Sequence, residues 1–383
     1  MLRTLQLTNF TVFSDVNLRF CSGLNIVLGQ NGTGKTMLLK AAYLMSRAWP
    51  DLMFKRLPLS KKRAEAYFEE RLLGLFQPTY IIDLIRKGVG ADMRLCAEVD
   101  AFFSMSDISA NVDLHPLNQF PFDHAEQSLR WEINLDFVIS VDSNAKLDTV
   151  YFPDVTTVNA FVPKSLFIPS KEIASLYEGL IALLDRYEIK LDDTYRDLAR
   201  SMSSPELLNI PALASGPLAE LEAELGGKLI LGAGSKLSFA QADGRQIDAP
   251  LMAEGFRKLT TLLYLIRRGA LTQPGETLFW DEPEANLNPF YIRWVAIALH
   301  YLAQAGIQVI LATHSLFLAR ELEILVANSA AKKEIVAMRF FGLHKTPGNG
   351  VEVMQGDSID DIGDVDALNE SLQQSDRYLA MES

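Results

Sequence analysis

Cysteine is nearly absent from this chain of 383 residues, which contains only Cys21 and Cys96. Neither residue belongs to a CxxC pair or stands beside clustered histidines, which excludes a disulfide framework and a cysteine-based zinc site. No apolar run approaches the roughly 20 residues that span a bilayer, and the first ten residues alternate between polar and apolar types, unlike a signal peptide. These absences predict a protein of the reducing cytoplasm that does not enter membranes.

Positive charge is also scarce, because 36 lysines and arginines stand against 48 acidic residues, giving a formal net charge of -12. This balance disfavours non-specific attraction to DNA or anionic lipid, so nucleic acid is not the favoured partner. A basic cluster from Lys55 to Arg63 is either a solvated helix face or a local binding surface. With 49% hydrophobic and 22% charged residues, the composition is that of a globular protein with a substantial core.

The order of the apolar segments predicts an α/β fold. Strand-like runs at 2–10, 16–20 and 23–28 lead into a glycine loop and a helix over 35–47. In the last third of the chain, helical and strand-like segments alternate, in the order helix from about 255, strand 278–280, helix 289–305, strand 307–311, helix 316–326 and strand 336–341. Such alternation predicts a mostly parallel sheet with helices on its faces.

The glycine loop matches the phosphate-binding pattern G-x-x-x-x-G-K-[ST]. Its glycines let backbone N–H groups approach phosphate oxygens at a helix N-terminus. In this pattern the lysine, here Lys35, bridges the β- and γ-phosphates of ATP, and the last hydroxyl, here of Thr36, ligates Mg²⁺. We therefore predict an ATP and Mg²⁺ site formed by Gly29, Gln30, Asn31, Gly32, Thr33, Gly34, Lys35 and Thr36.

Two carboxylates end a later apolar strand, and a histidine follows the next one. Asp281 at the strand tip is placed to hold the Mg²⁺ shell, and Glu282 to polarise the attacking water. His314, in Ala-Thr-His-Ser, is placed to hydrogen-bond the γ-phosphate. Alone, these features fit a turn and a structural histidine. Behind a phosphate loop they favour ATP hydrolysis, with Lys35, Glu282 and His314 as catalytic residues and with Thr36 and Asp281 holding the metal.

The order P-loop, Asp-Glu-Pro-Glu-Ala-Asn-Leu-Asn-Pro, Ala-Thr-His-Ser resembles the ABC/SMC-type ATPase head, especially the OLD-like ATPases often labelled AAA-family proteins. The resemblance implies a mostly parallel sheet flanked by helices, an N-terminal antiparallel β lobe and a mixed, largely helical insertion. It also implies a head-to-tail homodimer that sandwiches two ATP molecules. In such a dimer Glu282 is the general base, His314 is the switch histidine, and Asn286 lies in the loop between the two sites.

The same resemblance points to a signature segment, which in these heads faces the γ-phosphate bound by the partner. Residues 251–258 are similar to it, and Gly255 keeps the close approach that a phosphate needs. Ala253 replaces the family's usual serine, so a hydroxyl contact is missing and Arg257 or Lys258 is left to supply charge. An ordinary helix start is the alternative.

A segment near the N-terminus, residues 9–13, is similar to the one that contacts adenine in these heads. Phe10 or Phe13 is therefore a candidate for stacking on the base. Thr11 stands where many relatives have arginine. Core packing is the other fate of such aromatic residues, and the sequence leaves both open.

These elements predict an ATPase head made of residues 1–47 and 228–345, an insertion at 48–227 with strands and a helical arm, and an acidic tail at 346–383. The resemblance implies a homodimeric ATPase switch that controls a separately encoded nuclease or toxin in bacterial antiphage defence. The alternative is a RecF/SMC-like DNA repair ATPase, whose relatives share a similar N-terminal strand pair. The ATPase subunit of a transporter is the weakest reading, because the signature diverges.

Overall fold

The computed structural model describes residues 1–54, 60–86, 93–103, 131–141, 147–151, 163–180, 183, 186, 191–205, 207, 212–346, 350–364 and 366–382. Contacts divide the chain into two compact units. The first unit comprises residues 1–20, 41–73 and 78–164, and the second comprises 21–40, 74–77 and 165–383. This division differs from the predicted one, because the first two strands group with the insertion and residues 165–227 group with the head.

The first unit is built on antiparallel strands in the order β6-β5-β4-β1-β2. Their bounds are β1 (Leu2–Phe10), β2 (Phe13–Arg19), β4 (Met93–Phe103), β5 (Trp131–Val141) and β6 (Leu147–Tyr151). β1 pairs antiparallel with both β2 and β4. The predicted N-terminal antiparallel pair is therefore present, and its sheet extends into the insertion.

The second unit contains a mostly parallel sheet in the order β14-β13-β3-β12-β11-β7. Its strands are β3 (Leu24–Gly29), β7 (Ser165–Ile168), β11 (Thr277–Asp281), β12 (Gln308–Thr313), β13 (Met338–Thr346) and β14 (Gly350–Gly356). All neighbours from β13 to β7 pair in parallel, and β14 is antiparallel to β13. The carboxyl ends of β3, β11 and β12 thus lie at the same edge, where the predicted motifs begin.

Helices connect these strands. They are α1 (Lys35–Phe54), α2 (Lys61–Phe76), α3 (Asp193–Met202), α4 (Pro217–Leu225), α5 (Glu254–Arg267), α6 (Pro289–Gln304), α7 (Leu316–Ala331) and α8 (Asp366–Glu382). A small antiparallel sheet, β8 (Gly227–Leu231), β9 (Leu237–Gln241) and β10 (Gln246–Asp248), accompanies them. Fully buried Leu278, Trp280, Val309 and Leu311 belong to the hydrophobic core of this unit. In the part of the chain that is described, no helix is long and apolar enough to cross a membrane.

The acidic segment at 346–383 forms regular structure where it is described. β14 pairs with β13 over Gly350–Gly356, and α8 follows. The carboxylates of this segment include Asp361, which accepts the backbone N–H groups of Asp357 and Ser358 at 3.0 and 2.9 Å. The helical arm expected within the insertion is described in part. A short 3₁₀ turn lies at Ala174–Leu176 and α3 follows at Asp193–Met202, with most of 181–190 outside the described residues. Residues 55–59 of the basic cluster also lie outside them.

Candidate functional site

The phosphate loop joins the end of β3 to the start of α1. Gly32 and Gly34 have φ of 78° and 88°, the left-handed region that glycine adopts without strain. Lys35 is 6% exposed, and its Nζ donates to the carbonyl oxygens of Gly29 at 2.7 Å and Gln30 at 2.9 Å. Burial lowers the pKa of Lys35, against the opposing effect of the nearby Glu282 and Asp281 carboxylates. The ammonium group thus lies within the loop, at the N-terminus of a helix.

Thr36 and Asp281 meet directly, although they are far apart in sequence. The Thr36 Oγ1 donates to Asp281 Oδ2 at 2.8 Å. Among the described residues no group hydrogen-bonds the other oxygen, Oδ1, which is buried. Burial raises the pKa of Asp281 to about 6, and the Thr36 hydrogen bond only partly offsets this. An unpartnered carboxylate oxygen beside a hydroxyl fits a small, hard divalent cation, so these residues suit the predicted Mg²⁺.

Glu282 stands at a strained turn after β11. Its φ is 48°, unusual for a residue with a side chain, and its N–H donates to the carbonyl of Ala312 at 2.8 Å. Lys258, only 2% exposed, donates from Nζ to the Glu282 carbonyl oxygen at 3.2 Å. The Glu282 side chain remains 32% exposed. Its backbone is therefore held from two sides while its carboxylate stays accessible.

His314 lies between two carboxylates. Its Nδ1 is 3.3 Å from Glu284 Oε1 and 3.7 Å from Glu282 Oε1, and 53% of its side chain is exposed. Glu284 is 5% exposed and also accepts from Thr313 Oγ1 at 2.6 Å and from the His314 backbone N–H at 3.2 Å. The loops after β11 and β12 are thereby joined, which brings the predicted base and the predicted switch histidine together.

Gly255 contacts this loop within the same chain. A Cβ at Gly255 would lie 2.5 Å from the Asn286 carbonyl oxygen and 2.6 Å from Leu287 Cδ2. The close approach that Gly255 permits is therefore already used by the protein's own loop. Asn286 has φ of 63°, which asparagine tolerates well, and its side chain is exposed.

The two cations considered as substitutes for the signature serine are engaged within the chain. Arg257 donates to Glu172 at 2.7 Å and to backbone carbonyls, and Lys258 holds the Glu282 carbonyl. Both cations are thus engaged by groups of their own chain, and a contact with a partner's phosphate stays a prediction. Ala253 is exposed at the N-cap of α5 and makes no side-chain cap.

Phe10 and Phe13 are both completely buried in the first unit, where they face each other across the β1–β2 pair. A fully buried ring offers no face to adenine, so this structure favours the core-packing alternative for both residues. Base stacking by Phe13 finds no support here.

Two residues beside the site were given no role by the sequence analysis. They are Glu284 and Lys345, the second of which donates from Nζ to the Asn31 carbonyl at 3.1 Å. Lys345 also borders a cavity of about 290 Å³ whose lining includes Gln30, Thr33, His344 and Asp364. For Glu284, the third carboxylate of Asp-Glu-Pro-Glu was a visible signal. Nothing in the local sequence marked Lys345, because tertiary packing brings it to the phosphate loop.

Comparisons with known proteins agree with this geometry. Residues 170–320 match the family model described as "AAA domain, putative AbiEii toxin, Type IV TA system", and residues 4–42 match one described as "AAA domain". A stretch of 45 residues is 44% identical to the DNA replication and repair protein RecF of Pediococcus pentosaceus, covering 12% of this chain and 12% of that protein. The curated relative is thus matched over a small part of its length.

Among solved structures, the chain is similar to an SMC head bound to the C-terminal winged-helix domain of ScpA, with a TM-score of 0.50, 14% identity and coverage of 94% of this chain and 98% of that one. An SMC head with an extended coiled coil, bound to a ScpA domain derived from Pyrococcus furiosus, has a TM-score of 0.46 at 13% identity, covering 98% and 99%. The first likeness shows the fold. This chain therefore contains a P-loop ATPase domain with an SMC-head-like α/β fold.

Proposed function

We propose that this protein is an ATP-hydrolysing switch, in which two copies close around ATP and reopen after hydrolysis. In this mechanism the P-loop and Lys35 bind the phosphates. Thr36 and Asp281 would hold a Mg²⁺ ion, which would neutralise phosphate charge. Glu282 accepts a proton from the attacking water, and His314 donates a hydrogen bond to a γ-phosphate oxygen. Asn286 and Gly255 belong to the loop and helix start that flank this centre.

The contact between Thr36 and Asp281 carries this proposal. A hydrogen bond of 2.8 Å places the last residue of the phosphate loop against the carboxylate that ends β11, and Glu282 follows immediately. The residues proposed to bind phosphate, to bind the metal and to act as general base therefore lie close together in the second unit. This is the arrangement that ATP hydrolysis requires of its protein groups.

Exposed apolar side chains around the site support pairing with a second copy. Leu251, Phe290 and Phe317 are 78%, 52% and 44% exposed. They stand just before α5, at the start of α6 and at the start of α7, the elements that carry Gly255 and follow Glu282 and His314. Apolar residues at the rim of a polar site are typical of a surface that a partner covers. A head-to-tail dimer would cover them and exclude water from the bound nucleotide.

Control of a separate effector, a nuclease or toxin in bacterial antiphage defence, is the further part of this proposal. The description of the family model over residues 170–320, which names a putative toxin and a toxin–antitoxin system, supports this direction. ATP-dependent closure would supply the signal, because a contact made in only one of two states shifts the equilibrium between them.

Two variants test the switch. Lys35→Ala should abolish ATP binding, because it removes the buried cation of the loop. Glu282→Gln should bind ATP like the wild type, lose turnover by about 10²-fold or more, and accumulate as an ATP-dependent dimer. Equilibrium binding, phosphate release and light scattering with ATP or ADP measure these effects. A Glu282→Gln protein with wild-type turnover would refute the general base, and one that binds ATP but stays monomeric would refute the dimer.

The second candidate is a DNA repair ATPase, which the short likeness to RecF favours. In that case duplex DNA should stimulate phosphate release by the wild-type protein in a salt-dependent manner. The net charge of -12 argues against it. Absence of DNA binding at low salt would remove this candidate.

A further inference from the structure

Glu284 is a buried carboxylate that the mechanism above does not use. Its Oε1 is the meeting point of three groups from the end of β12: the Thr313 hydroxyl at 2.6 Å, the His314 backbone N–H at 3.2 Å and the His314 Nδ1 at 3.3 Å. The side chain is 5% exposed, so little water competes for this oxygen. A buried carboxylate against one edge of an imidazole determines which ring nitrogen carries the proton.

We propose that Glu284 is the positioning residue of the switch histidine. By accepting the Nδ1 proton of His314, it fixes the ring orientation and the tautomer, and it leaves Nε2 unprotonated in the neutral ring. Nε2 donates toward the γ-phosphate from the doubly protonated ring, in which both ring nitrogens carry a proton. This inference rests on the proposed function only for the γ-phosphate contact, because the tautomer is a property of the protein alone.

The geometry separates Glu284 from the neighbouring general base. Glu282 Oε1 is farther from Nδ1, at 3.7 Å, and its side chain is 32% exposed, whereas Glu284 is closer and buried. Glu284 also fixes the backbone that carries the ring, through the His314 N–H. One carboxylate oxygen thus accepts the backbone N–H of His314 and lies 3.3 Å from its ring Nδ1, as expected of a residue that preorganises a site.

Nitrogen-15 NMR of the uniformly labelled full-length protein tests the tautomer directly. The chain has five histidines, of which His344 provides an internal reference because its Nε2 lies 2.7 Å from the Ile362 carbonyl and must carry a proton. With the ring neutral, wild-type His314 should show the opposite pattern, with the proton on Nδ1. Glu282→Gln should keep that pattern and Glu284→Ala should lose it. An Nε2–H tautomer of His314 in the wild type would overturn the proposal.

Kinetics separate positioning from a merely structural role. Glu284→Gln should lower the kcat for ATP by about 10- to 100-fold with little change in the ATP dissociation constant, as for other carboxylates that orient a histidine. In a His314→Ala background the same substitution should have no further effect. Thr313→Val, which removes the 2.6 Å hydrogen bond but leaves the carboxylate beside the ring, is the matched control and should lose much less.

The outcomes of this cycle are distinct. Equal losses from Glu284→Gln with and without His314, or an equal loss from Thr313→Val, would overturn the positioning role. If His314→Ala itself hydrolyses ATP like the wild type, the proposed role of His314 in hydrolysis fails. The NMR result on the tautomer would still stand or fall by itself.

Discussion

The buried carboxylate of Asp281 is expected to lower the free energy of unfolding at neutral pH. Burial raises its pKa from 3.8 to about 6. A folded-state pKa above the unfolded value destabilises the fold at pH values where the carboxylate is ionised, by 1.36 kcal/mol per pKa unit, or about 3 kcal/mol here. This loss is absent below about pH 4, grows between pH 4 and 6, and is constant above. We therefore expect Asp281→Asn to stabilise the protein by roughly 1–3 kcal/mol at pH 8 and by progressively less toward pH 4.

Urea denaturation of the variant and the wild type across this pH range, without nucleotide or divalent cation, measures the difference. Asparagine can still accept the Thr36 hydrogen bond, so the fold of the site is kept. Asp360→Asn, which removes an exposed carboxylate of the second unit, controls for the loss of one negative charge. Added Mg²⁺ and ATP should stabilise the wild type but not Asp281→Asn. A variant whose advantage does not change with pH, or that is less stable than the wild type at pH 8, would refute the reasoning.

Two further substitutions test the contacts between α5 and the loop that follows β11. Lys258→Met should slow turnover, because Glu282 loses the donor to its carbonyl oxygen. The stability of the variant should be unchanged or higher, since burial lowers the pKa of Lys258 and so penalises its charged form. Measurements of kcat and of the urea midpoint check this, and loss of stability with intact turnover would contradict it. Gly255→Ala should destabilise the protein by about 1–3 kcal/mol, because its Cβ would lie 2.5 Å from the Asn286 carbonyl oxygen. Calorimetry without nucleotide tests this, and an unaltered melting temperature would mean that the contact is soft.

The sequence was sufficient to predict where the candidate site residues lie in the fold when they belong to short motifs. The phosphate loop and the pair Asp281 and Glu282 are short motifs at the ends of strongly apolar strands, and parallel strands bring their carboxyl ends to one edge. The predicted mostly parallel sheet and N-terminal antiparallel pair are confirmed for the same reason. Periodicity did not predict how these elements group into units. Residues 1–20 group with the insertion, and residues 165–227 group with the rest of the predicted head.

The surroundings of Phe10, Phe13 and Gly255 depend on tertiary packing and could not be predicted from the sequence. Phe10 and Phe13 carry no signal that distinguishes a buried ring from one that stacks on a base, and in the fold both are buried. Gly255 was read as a residue kept small for a partner's phosphate, whereas its nearest neighbour is the backbone of Asn286 in its own chain. In each case the residue type indicated close packing. It did not indicate which neighbour the residue packs against.

The balance of charge explains why this centre suits a cation-bound nucleotide. Asp281, Glu282 and Glu284 lie within four positions of one loop, and the cations that act on them include the buried Lys35 and Lys258. Both lysines have lowered pKa values because burial outweighs the attraction of those carboxylates. The carboxylate nearest the phosphate loop has a raised pKa. A divalent ion at Asp281 would favour its ionised form and offset the charge of the phosphates. A bound divalent ion would therefore be expected to offset the loss of stability that burial of Asp281 causes at neutral pH.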